Sequence, residues 1–357
     1  MCSGLGIMRQ KRWLDKVVRQ RNDSFSRYDY LRLDKNEWVP QLPENLFEII
    51  KQSMRHENFT AYPEVSPLYQ KISEHLMCNE NKIVVTAGSD AAIKNCFELF
   101  VHRGDKVITL EPTFAMIGVY CQLFDTCRIC IDYNSHLQLN VEKLEQSIDE
   151  TVSLIIIANP NSPTGNVIQK KKIIRIIEKS AEYDVPVLID EAYYGFYPHT
   201  FVDHIDTYPN LIISRTFSKA MGLAGCRVGF LVASASMARQ LYKFRPMYEA
   251  NSLGILVACK VLEHPDWIKT YCDEINDSKQ QISSVARKLT ICHTTTETNF
   301  LHFDFGSNKK RAEKNLRNQK VLASGGVGVP GYEQFLRITL GPFNMMQPVI
   351  DELHASK

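Results

Sequence analysis

Leu154-Ile155-Ile156-Ile157-Ala158, Val187-Leu188-Ile189-Asp190 and Leu211-Ile212-Ile213-Ser214 are three short runs that are apolar almost throughout. Strands covered on one face alternate apolar and polar residues, whereas strands covered on both faces read as continuous β-branched runs. Between the first two runs, Ile168 to Tyr183 is patterned as a helix, and Asp90 to Val101 forms a second such stretch. Lys82 to Thr86, Lys106 to Leu110 and Val228 to Val232 repeat the strand signal. Strands alternating with helices need crossover connections, so the region from about residue 81 to 234 predicts a doubly wound α/β domain with a mostly parallel sheet.

Outside this region the pattern changes. Residues 1–45 are polar, with one helical stretch and an extended segment around Tyr30 to Pro40. Beyond Met247 the order is helix, helix, then strands near Asn299 to Phe303 and Phe335 to Thr339. The expected organisation is a large domain over 46–245 and a smaller α+β domain over 246–357, which the segment 1–45 joins. The whole chain has 357 residues, is 44% hydrophobic, and carries 42 basic against 40 acidic side chains. That composition excludes a disordered or fibrous chain, and the near-neutral charge gives no reason to expect nucleic acid or a membrane surface. No run approaches the ~18 apolar residues of a membrane helix. Residues 1–22 are basic but lack the apolar centre of a secretory signal, so a cytoplasmic location is expected.

Ligands of open α/β sheets bind beyond the carboxyl ends of the strands. The richest such segment runs from Ser214 through Arg215, Thr216, Phe217, Ser218, Lys219 and Gly222 to Arg227. Small residues admit close backbone approach, and the hydroxyls of Thr216 and Ser218 with the Arg227 guanidinium suit a phosphate. A desolvated lysine among cations has a lowered pKa and becomes an amine nucleophile, which marks Lys219. Asp190, in Asp190-Glu191-Ala192-Tyr193, ends a buried run and needs a cationic or hydrogen-bonded partner. Gly88-Ser89-Asp90 opens a helix and offers backbone N–H groups to an anion. Phe114 stands just past a strand, where it could stack on an aromatic ring. Taken singly, Asp190 reads equally as a helix cap, Ser89 likewise, and Phe114 as a core aromatic. Their joint position at successive strand ends is what points to a site.

On these motifs the chain resembles the fold-type-I pyridoxal-phosphate enzymes of the class I/II aminotransferases. It is most similar to the histidinol-phosphate aminotransferase branch, which also contains threonine-phosphate decarboxylase. The resemblance rests on the S-x-S-K-type run through Arg227, on D-E-A-Y at 190–193 and on P-T-G at 163–165, and it extends from about Leu33 to Gly341. It implies pyridoxal 5'-phosphate (PLP) as cofactor, bound through a Lys219 Schiff base, with Asp190 on the ring nitrogen. It further implies Tyr193 on the ring hydroxyl, Phe114 stacked on the ring, and Gly88, Ser89, Asp90, Thr216, Ser218 and Arg227 around the phosphate. Tyr62 matches the tyrosine that reaches the partner subunit's cofactor, which implies a homodimer with shared sites. Arg337 matches the substrate-carboxylate clamp, and Asn36 and Trp38 fall in the segment lining the substrate pocket. The implied reaction is amino transfer from an amino acid to a small oxo or amino compound, phosphorylated or not. Decarboxylation of a phosphorylated amino acid is the alternative, because bond choice depends on substrate pose.

Four positions depart from the family pattern. Ser162 stands where asparagine usually precedes Pro-Thr-Gly, so either Ser162 or Asn161 meets the cofactor. Ala91 replaces a common glutamate, and Trp38-Val39-Pro40 replaces the usual N-P-x-G-P. The segment from Gly325 to Pro330 lacks the arginine that helps bind a phosphorylated substrate in the family. The ten cysteines are expected to be free thiols of a reducing compartment. Cys127-Arg-Ile-Cys130 has no second pair for zinc and sits in a strand-like context, so no metal is expected.

Overall fold

The computed structural model describes residues 11–17, 25–323 and 325–357. Most of the basic 1–22 stretch and Cys2 lie outside them. In chain order the strands are β1 (Leu31–Arg32), β2 (Ile83–Thr86), β3 (Lys106–Glu111), β4 (Cys127–Asp132), β5 (Val152–Ala158) and β6 (Val187–Asp190). They continue as β7 (Leu211–Thr216), β8 (Gly229–Ala233), β9 (Phe300–Asp304), β10 (Val321–Leu322) and β11 (Phe335–Thr339). A seven-stranded sheet runs in the order β2-β8-β7-β6-β5-β3-β4.

The expected doubly wound fold is what the chain adopts, and its two-sided burial explains the apolar runs. Ile155, Ile157, Val187, Ile189, Leu211 and Ile213 enter one core, while Leu154, Ile156, Leu188 and Ile212 enter a second on the opposite face. Side chains alternate across a strand, so a sheet covered on both faces needs apolar residues at every position. The helix Ser89–Phe100 covers the second face through Ala92, Ile93, Cys96 and Phe97, whose spacing follows its turn.

Only β8 runs against the others in this sheet: it is antiparallel to both β2 and β7. No crossover helix separates β7 from β8, so the chain can only turn back beside the strand it leaves. The connecting loop therefore starts and finishes at one edge of the sheet and carries both Lys219 and Arg227 there.

A third core joins the two chain ends. Leu33, Trp38 and Val39 pack with Ile275, Ile282, Phe300, Phe303, Leu336 and Ile338, around the antiparallel pair β9–β11. The short parallel pair β1–β10 ties the same N-terminal segment down. The helix Ser252–Leu262 differs from the expected division at residue 245. Its Ile255, Ala258, Cys259 and Val261 belong to the large core, so we propose that the smaller unit begins after Leu262. Among the described residues, no helix is long and apolar enough to cross a membrane.

Candidate active site

Strands β2, β3, β5, β6 and β7 all end at one edge of the sheet, around a cavity of about 360 Å³. Each strand contributes residues at its end or within a few positions past it: Ser89 and Asp90, Phe114, Ser162, Asp190 with Tyr193, and Thr216 with Ser218 and Lys219. Arg227 enters from the β7–β8 loop, Asn36 from the N-terminal segment, and Arg337 from β11. A larger cleft of about 880 Å³ lies beside β2, but Arg245 and Glu249 on its wall pair with each other at 2.9 Å.

Lys219 Nζ donates to the Lys35 carbonyl at 2.9 Å and stands 5.9 Å from the Tyr193 ring centre. Desolvation lowers its ammonium from the usual 10.5 to about 8; Arg337 and Arg227 push the same way, against Glu37 and Asp190. On the order of a tenth of the side chain is thus free amine at pH 7, far more than for an ordinary lysine. Asp190, on the floor, is raised to about 6 by burial, against the hydrogen bonds from Ser214 and the Ala192 N–H. Ser214 Oγ donates to its Oδ1 at 2.6 Å. Among the described residues no cationic side chain reaches it within 4.0 Å. A buried carboxylate without a cation is costly, and a cationic ligand group would relieve it.

Tyr193 Oη accepts from Asn36 Nδ2 at 2.8 Å. Burial raises its phenol, while Ser162, Arg337 and Asn36 oppose that rise. Arg337 has one arm fixed, donating from Nη2 to the Asp34 carbonyl at 2.8 Å, while its buried Nε has no protein partner. No carboxylate pairs with it among the described residues, so its remaining donors face the cavity free for an anion.

The opposite end of the cavity is an anion cradle. Helix Ser89–Phe100 begins there with its unpaired N–H groups, and its N-cap is Gly88 with φ +85°. A Cβ at residue 88 would lie 2.8 Å from Arg227 Nη2, so glycine lets the guanidinium cross the helix start. Arg227 Nη1 reaches Ser218 Oγ at 3.4 Å, and Thr216 Oγ1 accepts from the Ser218 N–H at 3.1 Å. Asp90 stands in the first turn of that helix, where its Oδ1 accepts from Tyr120 Oη at 2.9 Å.

Of the expected pocket residues, Trp38 does not line the cavity, and of the alternatives Asn161 and Ser162 only the second does. Asn161 is fully buried, and its amide is spent on the loop: it accepts from Thr113 Oγ1 and donates to the Pro112 carbonyl and Thr164 Oγ1, each at 2.9 Å. Ser162 faces the cavity instead. Trp38 does not line the pocket; it stacks on Tyr271 with ring centres 3.5 Å apart. It covers Gly222, where a Cβ would come within 2.7 Å of Trp38 Cε3. Tyr62, expected at a partner subunit's cofactor and not at this chain's own, is 77% exposed and stacks on Tyr248 at 4.4 Å. Two contributors went unanticipated. Ser214 is the last residue of an apolar run and looked like part of it, and the Lys35 carbonyl carries no side-chain signal at all.

An amine nucleophile, a buried carboxylate, a phenol, a free guanidinium and an anion cradle in one cavity define a site for amine–carbonyl exchange on a small anionic substrate. The chain belongs to the aminotransferase class I and II family, which it matches over residues 24–353. It is 30% identical to a histidinol-phosphate aminotransferase of Caldanaerobacter subterraneus subsp. tengcongensis, over 95% of this chain and 98% of that protein. It is 31% identical to a histidinol-phosphate aminotransferase of Pyrococcus furiosus, over 87% of each. Among solved structures, histidinol-phosphate aminotransferase from Sinorhizobium meliloti in complex with pyridoxal-5'-phosphate superposes with a TM-score of 0.86 at 21% identity, covering 99% and 98% of the two chains. These relatives support the aminotransferase reading and not the decarboxylase alternative.

Proposed function

We propose that this aminotransferase binds PLP in the cavity and moves an amino group from an α-amino acid to a small oxo compound, or the reverse. The observation that carries the reading is the convergence of Lys219, Asp190, Tyr193, Arg227 and Arg337 on one cavity. Two features fit the cofactor. Asp190 is a buried carboxylate lacking the cation that a protonated pyridine would provide, and the Gly88–Arg227 cradle suits a phosphate.

Lys219 would hold the cofactor covalently, Asp190 its ring nitrogen, and Tyr193 with Ser162 its ring hydroxyl. Phe114 would lie against the ring, with Ser89, Ser218, Thr216 and Arg227 at the phosphate. The chemistry such a cofactor supplies when bound is an electron sink for the charge left at the substrate Cα. Arg337 receives the substrate α-carboxylate, and the Asp34 carbonyl fixes the plane of its fork. Lys219 Nζ, partly unprotonated near neutral pH, takes the proton from the substrate Cα. Asn36 keeps the Tyr193 hydroxyl aimed into the cavity.

Histidinol phosphate is the substrate to assay first, following the relatives' names, beside unphosphorylated histidinol. Val327 and Val329 turn into the core, so the segment after Gly325 supplies no cation for a phosphate. Following absorbance on adding an amino acid to the cofactor-loaded protein tests the reaction. The visible band of lysine-bound cofactor is expected to give way to a near-ultraviolet band, with an oxo acid formed. Carbon dioxide release with the visible band restored would sink the proposal.

We also propose a homodimer. Phe59, Tyr62 and Met247 are exposed together with the stacked Tyr248, Tyr62 at 77% and Met247 at 79%. Apolar surface of that kind marks an interface. A loaded protein that sediments as a monomer at micromolar concentration would overturn this. The nine described cysteines are free thiols, which fits a reducing cytoplasm.

A further inference from the structure

Three consecutive residues of the N-terminal segment lie across the cavity, and each engages a different site group. The Asp34 carbonyl accepts from Arg337 Nη2 at 2.8 Å, and the Lys35 carbonyl accepts from Lys219 Nζ at 2.9 Å. Asn36 Nδ2 donates to Tyr193 Oη at 2.8 Å. Backbone bonds moor this strap on the inside: Leu33 N to the Leu322 carbonyl at 2.8 Å and Thr339 N to the Leu33 carbonyl at 2.9 Å. Asn36 holds a left-handed backbone, φ +55°, kept by its own N–H on Thr339 Oγ1 at 3.0 Å.

On the outside the strap is gripped by charge. Arg27 forks, with Nη2 at 2.5 Å from Asp34 Oδ1 and Nη1 at 2.9 Å from Glu37 Oε1. Arg32 Nε reaches the other Glu37 oxygen at 3.1 Å. The four side chains are only 11% to 26% exposed, so solvent screens them less than an ordinary surface pair. Burial alone would raise the Glu37 carboxyl, but the bonds from Arg27 and Arg32 hold it below its usual value. Two cations balance two carboxylates.

We propose that Arg27, Arg32, Asp34 and Glu37 form a positioning clamp that holds residues 34–36 on the site, and that Glu37 also sets the charge balance felt by Lys219. The proposal rests on the reading of the site given above. Lys219 faces Arg337 from β11, Arg227 from the β7–β8 loop and Asp190 from β6, beside the Tyr193 ring, and Glu37 acts on it at longer range, two residues along the strap from the Lys35 carbonyl that holds its Nζ. Losing Glu37 leaves one carboxylate against the cations, which disfavours a charged lysine nitrogen. Losing Arg27 frees Asp34, whose carbonyl aims Arg337.

The test uses the cofactor-loaded protein, with Lys269→Met as control in the distant exposed pair Lys269–Asp273. Arg27→Met is expected to raise KM for the amino-acid donor about 10-fold while kcat falls by less than about 3-fold. Arg27→Lys restores part of this, because one ammonium cannot bridge both carboxylates. Glu37→Gln, nearly isosteric, is expected to move the pH midpoint of the visible absorbance down by about half a unit. The control moves neither quantity. Loss of thermal stability alone, with KM and midpoint unchanged in both variants, overturns the clamp and leaves the site reading intact. Absence of any visible band in the unsubstituted loaded protein overturns both.

Discussion

Lys219→Ala is expected to abolish the visible absorbance of bound cofactor and to cut turnover by on the order of 10⁴-fold or more. The size follows from a double loss, since the same nitrogen anchors the cofactor and carries the substrate proton. Lys279 is also lowered to about 8 by burial, but its Nζ is held by the Thr296 carbonyl at 3.1 Å, away from the cavity. It offers no substitute amine. A pH experiment separates the cause. Below about pH 8 Lys219 Nζ holds its proton and cannot attack a carbonyl, while above it the amine is free. Capture of added cofactor by protein stripped of it should therefore accelerate through about pH 8, well under the 10.5 of an ordinary lysine. Arg337→Gln removes the cation next in importance after desolvation, so it should shift that midpoint upward. A capture rate that climbs only near 10.5 would refute the desolvated-lysine account.

Much of this site was legible because strand ends are legible. Continuous apolar runs locate buried strands, the sheet rule places ligands beyond their carboxyl ends, and Asp190, Ser218 and Lys219 are marked by their joint position there, whereas the role of Tyr193 came from the family resemblance. Loops are harder, because order along a loop does not say which side chain faces in. Asn161 and Ser162 are neighbours, yet the first spends its amide bracing the turn against Pro112 and Thr164 while the second meets the cavity. Trp38 was expected at the rim because the family resemblance places its segment, with Asn36, along the substrate pocket. It turns away because Gly222 leaves a flat space for an indole, which Tyr271 closes from the other side.

The sense of β8 was not legible either. Its apolar run resembles those of the parallel strands, and only the connection without a helix reveals the reversal. Backbone contributions have no residue signature at all. The carbonyls of Asp34 and Lys35 restrain two cations of the site, yet any residue could supply them. The charges that hold those carbonyls in place, Arg27 and Glu37, do have a signature, but they read as ordinary solvated side chains until the segment turns back onto itself.

Asp190→Asn is expected to lower kcat by about 10²–10³-fold while making the protein more stable once cofactor has been removed. The activity loss arises because a neutral amide cannot hold a proton on the ring nitrogen, so the electron sink weakens. The stability gain has the opposite origin. In the folded chain the carboxyl titrates at about 6, above the ordinary 3.8, because burial disfavours its charge. The folded state therefore binds this proton more tightly than the unfolded state, and folding loses stability as pH rises from 3.8 through about 6. Above that window the penalty is fully present, on the order of 2–3 kcal/mol at 1.36 kcal/mol per pKa unit. Asparagine removes the charge, and the Ser214 hydroxyl can serve either end of the amide. At pH 7.5 the stripped variant should unfold a few degrees higher than the stripped parent, with the gap closing toward pH 4. With cofactor loaded the order should reverse, since only the carboxylate gains an ion pair. A variant less stable than the parent when both are stripped would mean that Asp190 is a structural anchor rather than a strained, preorganised partner for a cation.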